Sequence, residues 1–329
     1  MGSGIWSTDV HAAAASYRAA TGASAFAHTD SGATTVHDLL NPYGVTVRES
    51  RDSDEHPESL AIAVLLDVTG SMRHVPRTLQ RKLPELLGLL MRKGYVEHPQ
   101  ILFGAIGDAT CDRAPLQLGQ FESDNRMDDH LGRLLLEGGG GGQMTESYEL
   151  AMYFMARHTA IDCHERRGRR GYLFLIGDEL AYPVVKAGEV TRVIGGGPGE
   201  DIPTAAVVAE LTRRWDTYFI IPEQACHSGD RRLLEYWRGL LGQNVIRLDD
   251  LDAVCETIAV TIGLAEDAID LAEGIEHLAD VGSSAGASVG RALATLGAAR
   301  GPLAVSAAPA GLDGGGDAPG GGTGGITRL

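Results

Sequence analysis

Hydrophobic residues fall along this chain in short unbroken runs, separated by stretches with helical spacing. The first run, 61–66 within LAIAVLLDVTGSM (60–72), ends abruptly at Asp67, with hydroxyls at Thr69 and Ser71 around Gly70. A run of this length bounded by turn residues predicts a strand buried on both faces. Leu79, Leu83, Leu86, Leu87, Leu90 and Met91 then share one side of a helix over 77–93. Pro84 should bend that helix or mark a late start, and Gly94 is its expected C-cap. Residues 100–106 (QILFGAI) predict a second buried strand, and 116–121 (LQLGQF) a short edge strand antiparallel to it.

The alternation continues. A helix is expected over 126–136, stopped by the five glycines 138–142, and another over 145–159, with Leu150, Ala151, Phe154 and Met155 facing inward. A third buried strand, 172–176, ends in Gly-Asp-Glu at Asp178. Residues 183–203 look irregular. Helices over 204–215 (capped from Asp201), 231–241 and 252–279 then alternate with strands over 218–221 and 244–248. Strands alternating with amphipathic helices predict an α/β fold: a doubly wound, mostly parallel sheet with helices on both faces and one antiparallel edge strand.

This rhythm occupies 58–280. Residues 1–57 read as a partly irregular extension, with a short Ala-rich helix over 11–20 and a mobile charged linker over 48–56. Residues 281–329 turn to Gly, Ala, Ser and Pro, a composition that predicts a disordered tail.

Composition narrows the function. The net charge of −16 argues against a nucleic-acid partner and favours a cation or a basic protein surface. The four cysteines are scattered without a C-x-x-C pair, which predicts reduced thiols in a cytoplasmic protein. The N-terminus lacks the pattern of a secretory signal, and no apolar run is long enough to span a membrane.

Three separated pieces should converge on the carboxyl edge of the sheet, where open α/β sheets bind ligands. They are Asp67, Thr69 and Ser71 after the first strand, Thr145 after the glycine run, and Asp178 after the third buried strand. Two carboxylates and three hydroxyls make a hard, all-oxygen site suited to Mg²⁺ or Mn²⁺, with room for water and one external oxygen.

On these residues, about 60–265 resembles a von Willebrand factor type A domain with a metal-ion-dependent adhesion site. The family's D-x-S-x-S reads Asp67-x-Thr69-x-Ser71 here, its later Thr is Thr145 and its later Asp is Asp178; Thr69 departs from the usual Ser but keeps the hydroxyl. The resemblance implies that Asp67, Ser71 and Thr145 hold the ion directly or through water, and Asp178 mostly through water. The open position would take an Asp or Glu from a partner protein, with no covalent chemistry. By analogy with bacterial intracellular proteins carrying such domains, a MoxR-type AAA+ ATPase is a candidate partner.

Competing readings exist. Hydrolases of the haloacid dehalogenase type also place Asp and Mg²⁺ after the first strand, but in a D-x-D pattern whose second Asp is a general acid. Thr69 cannot fill that role, and no lysine lies in a suitable loop. A subunit that keeps the fold without the metal is the other alternative. The glycine run lacks the G-K-[ST] ending of a phosphate loop. Cys163-His164, Cys226-His227 and His158 lack zinc-ligand spacing. Asp108 and Asp112 read as loop caps, and 166–170 (RRGRR) as a solvated turn.

Overall fold

The apolar runs become the strands of a six-stranded central sheet: β1 (Leu60–Asp67), β2 (Pro99–Ile106), β3 (Leu116–Leu118), β4 (Gly171–Ile176), β5 (Trp215–Pro222) and β6 (Val245–Leu248). The computed structural model describes residues 4–70, 72, 74–138 and 144–300, the last three by backbone alone. The order across the sheet is β6-β5-β4-β1-β2-β3, parallel throughout except for β3, which runs antiparallel to β2. Every residue of β1 is buried, as its unbroken apolar run requires of a central strand covered on both faces. It pairs with β2 from Leu60↔Pro99 to Asp67↔Ile106, and with β4 from Ile62↔Tyr172 to Leu66↔Ile176. The chain leaves β1 to one side for β2 and returns on the other side as β4. The carboxyl ends of β1 and β4 therefore flank the switch point of a Rossmann-like sheet.

Ten helices are used below: α1 (Thr8–Thr21), α2 (Val75–Leu87), α3 (Arg126–Gly132), α4 (Tyr148–Arg157), α5 (Ala187–Val193), α6 (Thr204–Leu211), α7 (Arg231–Leu241), α8 (Val254–Ala265), α9 (Leu271–Asp280) and α10 (Gly286–Arg300). They cover the sheet on both faces, α2 packing with α8 and α4 with α6. Pro84 lies inside α2, which continues to Leu87 and then loosens into a π-helical turn, Gly88–Arg92.

Several local expectations are corrected. The helix expected from residue 145 starts at Tyr148, because Thr145–Glu146 is a short strand paired in parallel with Leu180–Ala181. The helix expected over 126–136 ends at Gly132. Residues 183–203 are ordered around α5, with Val184–Val185 paired against Ile202–Pro203. Asp201 caps α5, not α6: its Oδ1 accepts from the Ala187 N–H at 2.9 Å. The single helix expected over 252–279 is two, α8 and α9.

The termini also differ from expectation. Residues 48–56 are not a mobile linker. Arg48–Ser50 pairs in parallel with Thr159–Ile161, and Asp52 is held by Arg166, Arg167 and Ser59. Within the expected tail, α10 is a helix that buries Val289 and Leu293 beside α9. Its small residues allow this: a Cβ at Gly290 would lie 3.1 Å from the Ile275 side chain. Residues 301–329, the rest of the expected tail, lie outside the described residues.

Candidate functional site

Asp67 ends β1 with no solvent exposure. Its Oδ1 accepts the Thr69 N–H at 2.8 Å and the Thr69 hydroxyl at 2.6 Å, so the loop closes on the carboxylate that precedes it. Its Oδ2 accepts the Tyr148 hydroxyl from the start of α4 at 2.9 Å. Gly177, just beyond β4, makes room for that phenol: a Cβ there would sit 1.8 Å from the Tyr148 oxygen. Burial pushes the Asp67 carboxyl up to about 6; the charge of Asp178 pushes the same way, and the Thr69 and Tyr148 donors oppose it.

Asp178 follows β4, is equally buried, and accepts the His227 N–H at 3.0 Å. Asp67 and Asp178 thus come together across the switch point, as the spacing predicted. Thr69 joins them, almost fully buried. Thr145 lies on the rim, half-buried, with its side chain hydrogen-bonded to Tyr182. Tyr182 in turn donates to the Asp108 oxygens at 3.2 and 3.1 Å. Ser71 lies outside the described residues.

Asp108 closes β2 as Asp67 closes β1. It accepts the N–H and the hydroxyl of Thr110, each at 2.8 Å, while Asp112 accepts the Asp108 N–H at 2.7 Å. These are the loop-capping bonds expected of Asp108 and Asp112. The arginines of 166–170 are tied down: Arg166 and Arg167 on Asp52, Arg169 on Glu266 and Arg170 on Asp216. His158 packs against Phe154 and lies beside the carbonyls of Val45 and Thr46. Among the described residues, no group of three or more His, Cys, Asp or Glu side chains is arranged to hold a metal ion. A site of two carboxylates and hydroxyls does not need such a group.

Sequence reasoning missed four members of this environment. Tyr148 is one; Glu146, Glu149 and Glu179 are the others, all buried. Burial, reinforced by Asp67, Glu179, Asp108 and Asp112, pushes Glu146 up to about 10. Burial, with Asp67 and Asp178, pushes Glu179 up to about 8. Glu146 and Glu179 directly follow two nominated residues, Thr145 and Asp178. The inward placement of Glu146 is not legible in the sequence, because the spacing predicts it as a first-turn helix residue, whose side chain normally faces water.

The donor chemistry fits a hard cation. Each carboxylate oxygen offers two lone pairs, so the bonds from Thr69 and Tyr148 leave Asp67 further acceptor capacity. None of the described hydrogen bonds to Asp67 comes from a basic side chain.

The sequence matches no known family and no curated protein. Among solved structures, the chain is similar to the pilus adhesin SpaC of Lactobacillus rhamnosus GG in its open conformation, at 8% identity and a TM-score of 0.46, over 67% of this chain. It spans 31% of the adhesin's length. It is also similar to proximal thread matrix protein 1 of the mussel byssus, at 11% identity and a TM-score of 0.39, over 62% of this chain and 47% of that one.

Proposed function

We propose that this chain is a von Willebrand factor type A-like binding module without covalent chemistry. In this reading Asp67, Thr69, Ser71, Thr145 and Asp178 hold Mg²⁺ or Mn²⁺, and a partner protein supplies an Asp or Glu to the ion. The carrying observation is the pair Asp67 and Asp178, both fully buried at the ends of adjacent parallel strands. They are close enough for the charge of Asp178 to raise the proton affinity of Asp67. Two buried like charges are costly, and a dication between them relieves the cost. Thr145 reaches the ion by exchanging its bond to Tyr182. A bound ion offers a partner carboxylate a Lewis-acidic position.

Thr69 supports binding over hydrolysis. It stands where a phosphohydrolase needs a general acid, and its hydroxyl donates to one Asp67 oxygen while Tyr148 donates to the other, which makes that carboxylate a poorer nucleophile. Within this reading the compartment is the cytoplasm and the partner a MoxR-type AAA+ ATPase, not a nucleic acid or a membrane. Among the described residues no helix is long and apolar enough to cross a membrane.

The test is retention of partners from native extract on immobilised full-length chain, in Mg²⁺ and in EDTA, with Asp178→Ala as control. A partner held only by wild type in Mg²⁺ is expected. Identical partners in all conditions would reduce the constellation to a structural turn.

A further inference from the structure

Glu146 and Glu179 stand outside the ligand set just assigned, and the strand pairing explains where they point. Thr145–Glu146 runs parallel to Leu180–Ala181, with Glu146 opposite Ala181. Side chains alternate along a strand, so Glu146, Glu179 and Ala181 share one face, and Thr145, Leu180 and Tyr182 the other. The hydrogen bonds agree: Thr145 bonds Tyr182, while Glu146 bonds Glu179. Glu146 is 1% exposed and Glu179 7%, yet Glu146 Oε2 and Glu179 Oε2 have no hydrogen-bond partner.

Two carboxyl groups in contact, each with an orphaned buried oxygen, are a costly arrangement unless something binds there. The charges that act most on Glu146 all come from carboxylates, so the surroundings aggravate that cost. The His227 ring does not resolve it, since its Nε2 is 4.0 Å from Glu179 Oε1, beyond hydrogen-bonding reach. One dication at Asp67 and Asp178 is matched by those two carboxylates and leaves the two glutamate oxygens without a partner.

We propose that Glu146 and Glu179 hold a second divalent cation of the Mg²⁺ or Mn²⁺ class beside the first, an inference that rests on the cation reading of Asp67 and Asp178. The two orphaned oxygens are its protein ligands and water fills the remaining positions, a pattern Mg²⁺ accepts because it keeps much of its hydration. Such a site needs no third acidic or imidazole ligand, consistent with the absence of a larger ligand group among the described residues.

The test is the number of Mn²⁺ ions bound per full-length chain, by equilibrium dialysis, with paramagnetic resonance to detect coupling between neighbouring ions. Wild type is expected to bind two, magnetically coupled. Glu146→Gln/Glu179→Gln is expected to bind one, uncoupled, and Asp67→Asn to lose the other. Glutamine keeps the side-chain shape, and Glu179→Gln alone gives the same reading should the double variant not fold. One ion in wild type, kept by the double glutamine variant and lost in Asp67→Asn, overturns the second site and leaves the proposed function standing. Two ions in the double variant overturn it as well. One ion lost only with the glutamates supports the glutamate site and overturns the Asp67 assignment. No ion in wild type overturns both.

Discussion

At the scale of single residues, this protein concentrates buried ionisable groups, and they do not act alike. His130 in α3 is 7% exposed, and its Nδ1 has no hydrogen-bond partner. Burial, with the charges of Arg133 and Arg48, pushes its imidazole from 6.5 down to about 4. The unfolded chain therefore binds the proton more readily than the folded one between those values. Stability from this group is fully present above pH 6.5 and is lost as pH falls toward 4. A shift of this size corresponds to a loss on the order of 3 kcal/mol. Urea unfolding at pH 7 and pH 4.5 should show His130→Gln losing less stability on acidification than wild type. Equal losses would mean that His130 is protonated in the folded state without penalty.

At the scale of elements, the instructive failure is the helix expected over 252–279. It breaks because Asp267 takes a left-handed conformation, φ +54°, while its N–H bonds Leu264 O at 3.3 Å and the Ala268 N–H bonds Gly263 O at 3.0 Å. This is the bond pattern of a Schellman C-cap, with Asp where Gly is usual. The next helix starts at once: Asp270 and Glu273 form a reciprocal capping box at α9. Asp267→Gly should therefore be neutral or stabilising, whereas Asp267→Val should cost about 1–2 kcal/mol, since a branched side chain tolerates this conformation poorly. Thermal unfolding of both variants checks this, and equal losses would count against a cap at this position.

At the scale of the molecule, the N-terminal segment is part of the main body. Phe26 and Leu40 are fully buried in the common core. Ser7 and Asn125 exchange two hydrogen bonds of 2.9 Å, and Arg48 reaches the carbonyl of Leu118 on edge strand β3 at 2.9 Å. Arg51 pairs with Asp162 at 2.8 Å and with Glu165 at 2.7 Å. A chain lacking residues 1–57 should lose these ties, expose an edge strand and its underlying core, and aggregate on expression. A soluble fragment with a cooperative unfolding transition would show that the segment is dispensable.

Read alone, the amino-acid order was enough for the sheet. Short apolar runs bounded by turn residues predict strands buried on both faces, and their alternation with amphipathic stretches predicts a doubly wound α/β fold. It also brought Asp67 and Asp178 to the same edge, since both directly follow buried strands. Two things depended on contacts distant in sequence, and a third on a local turn. Thr145–Glu146 is a strand because Leu180–Ala181 lies beside it, and that pairing turns Glu146 inward. Residues 286–300 form a helix because small residues meet Ile275 closely. The left-handed turn at Asp267 carries none of the glycine that would have marked it. In the first two, packing between separate elements overruled what local composition favoured; at Asp267, backbone bonds to Leu264 and Gly263 close the turn without a glycine.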